Sequence, residues 1–436
     1  MGELLFAGAR ADVTPPPGFP LAGYVARGDS GATGSHDALE VSALWLSTAE
    51  DPGVLWLCLD SLAVDANLVD LVAESAAAHA GVPADRVVVC ASHTHAAPLG
   101  WTTRLHPAIP GARDEHLVSR LMSDVDGLLR SLPGRREPSR LAWCAVPADG
   151  VGTNRNRPDG PHDNTTGVLA VGTPDRVDGL LFDYASHPTV LGPENLTWSA
   201  DWPGVTRRAL TSALPDHPTV GFLQGAAGDA SPRFTRRGRG HPEVERIGVL
   251  LADTILTALD SRSRFLPPVA PVVHRVTVSL PARRAPGRDD VRRLVTRAER
   301  DTPCGDSPAD RIRQTRLEGA RALAGLPVDL PTTFDLPLSV VALGDIAWVH
   351  LPVELFGSLG LRIRAASPFP VTRVVGYSDG YFGYVADAEG HEGHVYEAMI
   401  SLFDAPAGDL LVTHAVELLR RARASGVGGT RLAAGG

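Results

Sequence analysis

Short, wholly apolar runs that alternate with longer helical patterns constrain this chain more than any other feature. VLWLCLD (54–60) is followed by LVDLVAESAAAHA (68–80), then RVVVCASHTH (86–95), then HLVSRLMSDVDGLLRSL (116–132). That succession of strand, helix, strand and helix predicts an α/β layered domain. Between 139 and 185 the runs LAWCAVPA, GVLAVGT and GLLFDYASH follow one another without helices and alternate in places, so the sheet is expected to be mixed. Further helices are predicted at GVTRRALTSAL and PEVERIGVLLADTILTALDS, and strands at PTVGFLQG, FDLPLSVVALG, DIAWVHLP and VTRVVGYS. VELFGSLGLRIRAA reads as a helix opened by Glu354, a Gly- and Tyr-rich loop spans 376–394, and a last helix runs through about 422.

No internal repeat or interdomain linker interrupts the pattern, and 44% hydrophobic with 21% charged residues is the composition of a compact globule. We therefore expect one large domain over 1–423, an α/β core of mixed β-sheet flanked by helices, and a mobile tail at 424–436. An Arg- and Asp-rich stretch at 281–327 predicts a helical excursion that caps the core, its charges forming a solvated face. The chain carries a net charge of -9 and no lysine, which argues against nucleic-acid or anionic-membrane partners. The N-terminal segment lacks a basic, apolar signal pattern and no apolar run approaches ~18 residues, so a cytoplasmic location without stable membrane association is expected. Cys58, Cys90, Cys144 and Cys304 show no CxxC spacing and read as reduced, buried thiols.

The strongest local chemistry is Ser92-His93-Thr94-His95 at the end of a strand-like run. In an extended chain, residues two apart point to one side, so His93 and His95 could share one ion, a recurring zinc arrangement. His187 ends another apolar strand, and Glu354 follows a third. Each of these, taken singly, is also compatible with an ordinary loop histidine or an N-terminal helix acid. GAAGDASP is Gly-rich but lacks the GK[ST] ending of a phosphate loop.

In combination, ARADVTPPPGFPLAGY, ASHTHAAP, TNRNRP, ASHPTVLGP, SADWPG, FLQGAAGDASPR, LPVELFG and GYFGYV followed by VYEA resemble, in that order, the catalytic domain of the neutral (non-lysosomal) ceramidases. The resemblance runs from about residue 5 to 402. It implies a zinc-dependent amidohydrolase whose ion is held by His93, His95, His187, Glu354 and Tyr384. It also implies substrate-contacting or catalytic roles for Arg155, Tyr396, Ser231 and His36. Three neutral imidazoles and a carboxylate leave zinc able to lower the pKa of water toward ~7. Arg155 and Tyr396 are the donors expected at the oxyanion. Zinc-activated water is the expected nucleophile, with Ser231 as the alternative, and Asp201 and Asp229 are candidate acceptors for ligand imidazoles.

Relative to that family, a signal and an additional C-terminal domain are expected to be absent, and Arg233 follows the SP pair instead of the usual asparagine. His391 and His394 are polar additions before Tyr396, suited either to binding a polar substrate or to capping a helix. The expected substrate is accordingly a small soluble amide or ester. A true ceramidase or N-acyl-lipid amidase, and a non-catalytic metal-holding binding protein, are the alternatives. Nothing in the sequence fixes an oligomeric state.

Overall fold

A computed structural model of the chain describes residues 3–107, 111–301, 305, 307–327 and 329–426. Twelve strands of five residues or more can be followed along it: β1 Leu5–Asp12, β2 Glu40–Ser47, β3 Val54–Leu59, β4 Val87–Ala91, β5 Arg140–Pro147, β6 Thr165–Thr173, β7 Arg176–Tyr184, β8 Thr219–Gln224, β9 Val272–Pro281, β10 Thr333–Leu343, β11 Ile346–His350 and β12 Val371–Val375. The helices are α1 Ala66–Ala80, α2 Glu115–Ser131, α3 Asp201–Ala213, α4 His241–Arg262, α5 Arg288–Arg300, α6 Pro308–Ala324, α7 Gly357–Ala366, α8 Ala388–Glu392, α9 Tyr396–Ile400 and α10 Ala405–Gly426. The fold is α/β with mixed pairing, but the long strands form three sheets where one was expected.

The sheets share one construction. The order β4-β3-β2-β1 is antiparallel except for the β3/β4 pair, which is parallel. The order β8-β7-β6-β5 has its parallel pair at β7/β8, and β9-β10-β11-β12 has it at β11/β12. Each parallel step needs a crossover, and α1, α3 and α7 provide them. The segments entering the site follow β4, β7, β8 and β11, so carboxyl ends of strands deliver it, as crevices of α/β sheets generally do.

Two-sided apolar strands explain the layering. In β3, Leu55, Leu57 and Leu59 join the core under α1 and α2, while Val54, Trp56 and Cys58 face a second core shared with the other sheets. Side chains alternate across a strand, so a run apolar at every position is stable only when both faces are covered. In the shared core the Trp348 ring lies 6.0 Å from Trp56 and 5.5 Å from Trp143, one tryptophan from each sheet. Helices α3 and α4 cover the second sheet and α7 and α10 the third.

Local signals set the helix ends. Asp65 caps α1 by accepting from Leu68 N, and Gly81 ends it at φ 68, where a residue with a Cβ is strained. Helices α5 and α6 fall within 281–327, between β9 and β10. Helix α10 continues to Gly426, past the expected end near 422. The remainder of the expected tail, and Cys304, lie outside the described residues. Cys58 and Cys90 are buried free thiols, and Cys144 is buried as well. No described helix is long and apolar enough to cross a membrane.

Candidate functional site

Strand β4 ends at Ala91, and the chain then turns, with Ser92 N donating to Leu59 O and His93 N to Ser61 O. His93 has φ 67, a left-handed conformation uncommon for a non-glycine residue. The expectation that an extended chain presents His93 and His95 to one side is therefore corrected. A strained turn makes them converge, with ring planes at 88° and centroids 5.0 Å apart. The His93 and His95 Nε2 atoms are 3.4 Å apart.

The partners of the other ring nitrogens fix the tautomers. His93 Nδ1 lies 2.6 Å from Leu62 O, and His187 Nδ1 lies 2.8 Å from Ala227 O and 3.0 Å from Ala230 O. A carbonyl only accepts, so each Nδ1 carries a proton, and in the neutral ring it is Nε2 that presents the lone pair. His187 Nε2 is buried and, among the described residues, no hydrogen-bond donor serves it. Burial, reinforced by the charge of Arg155, pushes His187 down to about 4, and burial with the neighbouring His93 and His187 holds His95 well below the usual range. His95 and His187 are thus neutral, the state that ligates metal.

Glu354 does not open a helix. Its N–H donates to Gly383 O, Glu354–Leu355 pairs in parallel with Tyr384–Val385, and α7 begins only at Gly357. This pairing turns the carboxylate toward the histidines, with Oε2 3.2 Å from His93 Nε2 and 3.1 Å from His187 Nε2. Two imidazole lone pairs and a carboxylate oxygen that meet in a buried pocket repel one another unless a cation lies among them. One ligand atom from each of His93, His95 and His187 lies within 4.8 Å of the other two, so this group could hold a metal ion.

Tyrosines surround the carboxylate. Tyr381 Oη donates to Glu354 Oε1, and Tyr377 Oη lies 3.3 Å from Oε2. Neither was singled out from the sequence, although both fall in the Tyr-rich 376–394 loop. The Tyr384 hydroxyl instead accepts from Arg155 Nη2 at 3.0 Å, while its ring lies parallel to His187 at 6.5 Å. Arg155 also binds Glu397 Oε1 at 2.5 Å. Burial would lower this guanidinium, but Tyr384 and Glu397 keep it charged. Burial raises the Tyr384 and Tyr396 phenols, so both remain protonated donors. Glu397, beside Tyr396 in VYEA, is a further residue that sequence reasoning passed over.

These groups border a cavity of about 530 Å³, lined among others by His93, His95, Arg155, Ser231, Glu354, Tyr384 and Tyr396. His36 is not brought to it. Its partly exposed ring stacks on His241 at 3.5 Å, with Nδ1 2.9 Å from Asp37 Oδ2. Asp201 and Asp229 do not support imidazoles either. Asp201 accepts from Leu191 N and Trp202 N, and Asp229 from Asn154 Nδ2 and Gly357 N, so both organise loops and helix starts while backbone carbonyls orient the histidines. His391 and His394 do not line the cavity. The excursion divides: α5 has no buried residue, whereas α6 presents Arg311, Gln314, Glu318 and Arg321 to the cavity, so part of the charge run faces the site.

No family model and no curated protein matches the sequence. Solved structures do. A ceramidase complexed with C2 superposes with a TM-score of 0.76 at 16% identity, covering 100% of this chain and 78% of that one. Neutral ceramidase from Pseudomonas aeruginosa gives 0.74 at 18% identity, covering 97% of this chain and 75% of that one. The chain therefore has the fold of the neutral ceramidases, as its motifs implied.

Proposed function

We propose that this chain is a zinc-dependent hydrolase that cleaves the amide, or ester, bond of a small N-acyl-type compound in the cytoplasm. The observation that carries the reading is the convergence of neutral imidazole lone pairs and the Glu354 carboxylate at one edge of the cavity. His93, His95, His187 and Glu354 would hold the ion, a nitrogen and oxygen donor set that suits zinc, with Tyr384 as a further ligand. An ion of this kind supplies Lewis acidity, lowering the pKa of water from about 15.7 toward ~7 and polarising a carbonyl.

The chain's own groups would do the rest. Arg155, clamped by Glu397 and Tyr384, offers a fixed charge to the oxygen that becomes negative as the carbonyl is attacked. Tyr396, protonated and on the cavity wall, adds a neutral donor. Ser231 Oγ accepts from Arg233 N at 3.3 Å, which leaves its hydroxyl hydrogen for the substrate or the attacking water. His36, outside the cavity lining, is left out of the mechanism. Leu62, Leu99, Leu105 and Ile400 give the acyl portion an apolar wall. The neighbours of like fold are described as ceramidases, which supports amide hydrolysis.

Elemental analysis of purified protein, with hydrolysis assays on N-acyl substrates before and after chelation, tests this reading. About one zinc per chain is expected, with activity abolished by chelator and restored by added zinc. Hydrolysis that persists in metal-free protein would overturn the mechanism, and bound metal without turnover of any amide or ester would favour a binding protein.

A further inference from the structure

The cavity wall carries charge predominantly of one sign. Among the described residues, six arginines (Arg155, Arg233, Arg236, Arg239, Arg311 and Arg321) line it, against the two glutamates Glu318 and Glu354, in a chain whose net charge is -9. Acidic side chains answer some of them: Glu397 pairs with Arg155, Glu318 lies 3.5 Å from Arg311, and Glu299 lies 3.3 Å from Arg321. Arg233 and Arg236 differ. Arg233 Nη1 donates to Arg155 O and Arg236 Nη1 to Thr189 O, each at 2.8 Å, and neither makes a salt bridge to a carboxylate among the described residues.

These carbonyl contacts hold the two guanidiniums in place without neutralising them. Burial, together with the charges of Arg155, Arg311 and Arg236, pulls Arg233 down to about 9, and burial with Arg239 lowers Arg236. Like charges crowded in a half-buried wall raise the free energy of the empty site, and an anion that accepts their remaining N–H groups would relieve it.

We propose that the substrate of this hydrolase is an amide whose amine portion bears a fixed negative charge, bound by Arg233 and Arg236, with its acyl chain against the apolar wall. The class is that of N-acyl amino acids and amides of other oxyanion-bearing amines. The inference rests on the hydrolase reading above and narrows it.

The test compares hexanoylglycine with N-hexanoylethanolamine, which share an acyl group and differ in charge. The holoenzyme should favour the anionic amide in kcat/KM by about tenfold or more, the range for hydrogen bonds to charged groups. Added salt should narrow that ratio. Arg233→Gln and Arg236→Gln should each bring the ratio toward unity, while Arg236→Lys keeps most of it. Thermal unfolding of each variant checks that it is folded.

A binding arm separates the two readings. Calorimetric titration with hexyloxyacetate and with 2-hexyloxyethanol, neither of which has a bond to cleave, should show the same preference and the same loss in the variants. If no amide is hydrolysed but this preference and its loss are seen, the hydrolase reading fails and the anion site stands. Equal binding of the two ethers, or a preference for the anion that survives both glutamine substitutions, overturns the anion site.

Discussion

Which nitrogen of each histidine is left without a proton decides what this site can do. Leu62, Ala227 and Ala230 supply carbonyls that accept from the Nδ1–H of His93 and His187, so that in the neutral rings the Nε2 lone pairs are aimed at Glu354. His93→Ala and Glu354→Ala should therefore each weaken metal binding by more than the roughly tenfold to hundredfold that losing a ligand's supporting partner costs, and abolish hydrolysis. Glu354→Gln, which can still accept from Tyr381, separates loss of charge from loss of packing. Metal content after dialysis is the measurement, and full retention by either alanine variant removes that residue from the ligand set. The histidines and Glu354 were legible because motif order preserved them and because each ends an apolar run. Tyr377, Tyr381 and Glu397 were not, since their partners are 23, 27 and 242 residues away and nothing local marks such contacts. Asp201 and Asp229 sat in the expected motifs, yet Asp201 is taken by backbone N–H groups 1 and 10 residues away and Asp229 by Gly357 N, 128 residues away, and by Asn154 Nδ2, competition that motif reading does not resolve.

Among the elements, the loop leading out of β1 buttresses the site from outside the sheets. Tyr24 packs on His95 at 4.8 Å and Arg27 Nη1 donates to His95 O at 2.7 Å. Gly23 has φ +93, and a Cβ there would stand 2.4 Å from His95 Cγ and 2.5 Å from its Nδ1. Gly18 has a comparable φ of +104 with nothing within 4 Å, so it isolates backbone strain from collision. Both alanine variants should lose about 1–2 kcal/mol to strain. Gly23→Ala alone should also displace the imidazole and lose metal by about tenfold, the scale seen when ligand orientation is disturbed. Equal metal content in the two variants would show that this loop does not set the position of His95. Element type was largely readable where apolar runs were long. Strand β1, LFAGARAD, was not read, because its Ala and Gly carry weak strand preference and antiparallel pairing with β2 supplies the order. Glu354 was assigned to a helix because VELFG continues the apolar pattern of α7, and its backbone bond to Gly383 overrides that preference.

For the molecule as a whole, alternation of strands and helices indicated an α/β fold but could not count sheets, since periodicity records which faces are apolar and not which strands pair. His350 tests the junction where the three sheets meet. It is buried on β11 beside Trp56, whose Nε1 donates to its Nε2 at 3.4 Å. Burial, assisted by the charge of Arg275, pushes His350 down to about 3. The unfolded chain takes up this proton near pH ~6.5 and the folded chain only near that lower value. The neutral imidazole's contribution to stability is therefore complete above the unfolded pKa and is lost as pH falls through the window between the two, by ~1.4 kcal/mol per pH unit. His350→Gln preserves an acceptor for the Trp56 indole and removes the titration. In urea unfolding, the native chain should lose about 2 kcal/mol more than the variant between about pH 7 and about pH 5. If the two lose stability in parallel, charging His350 is not what acid must do to open this junction.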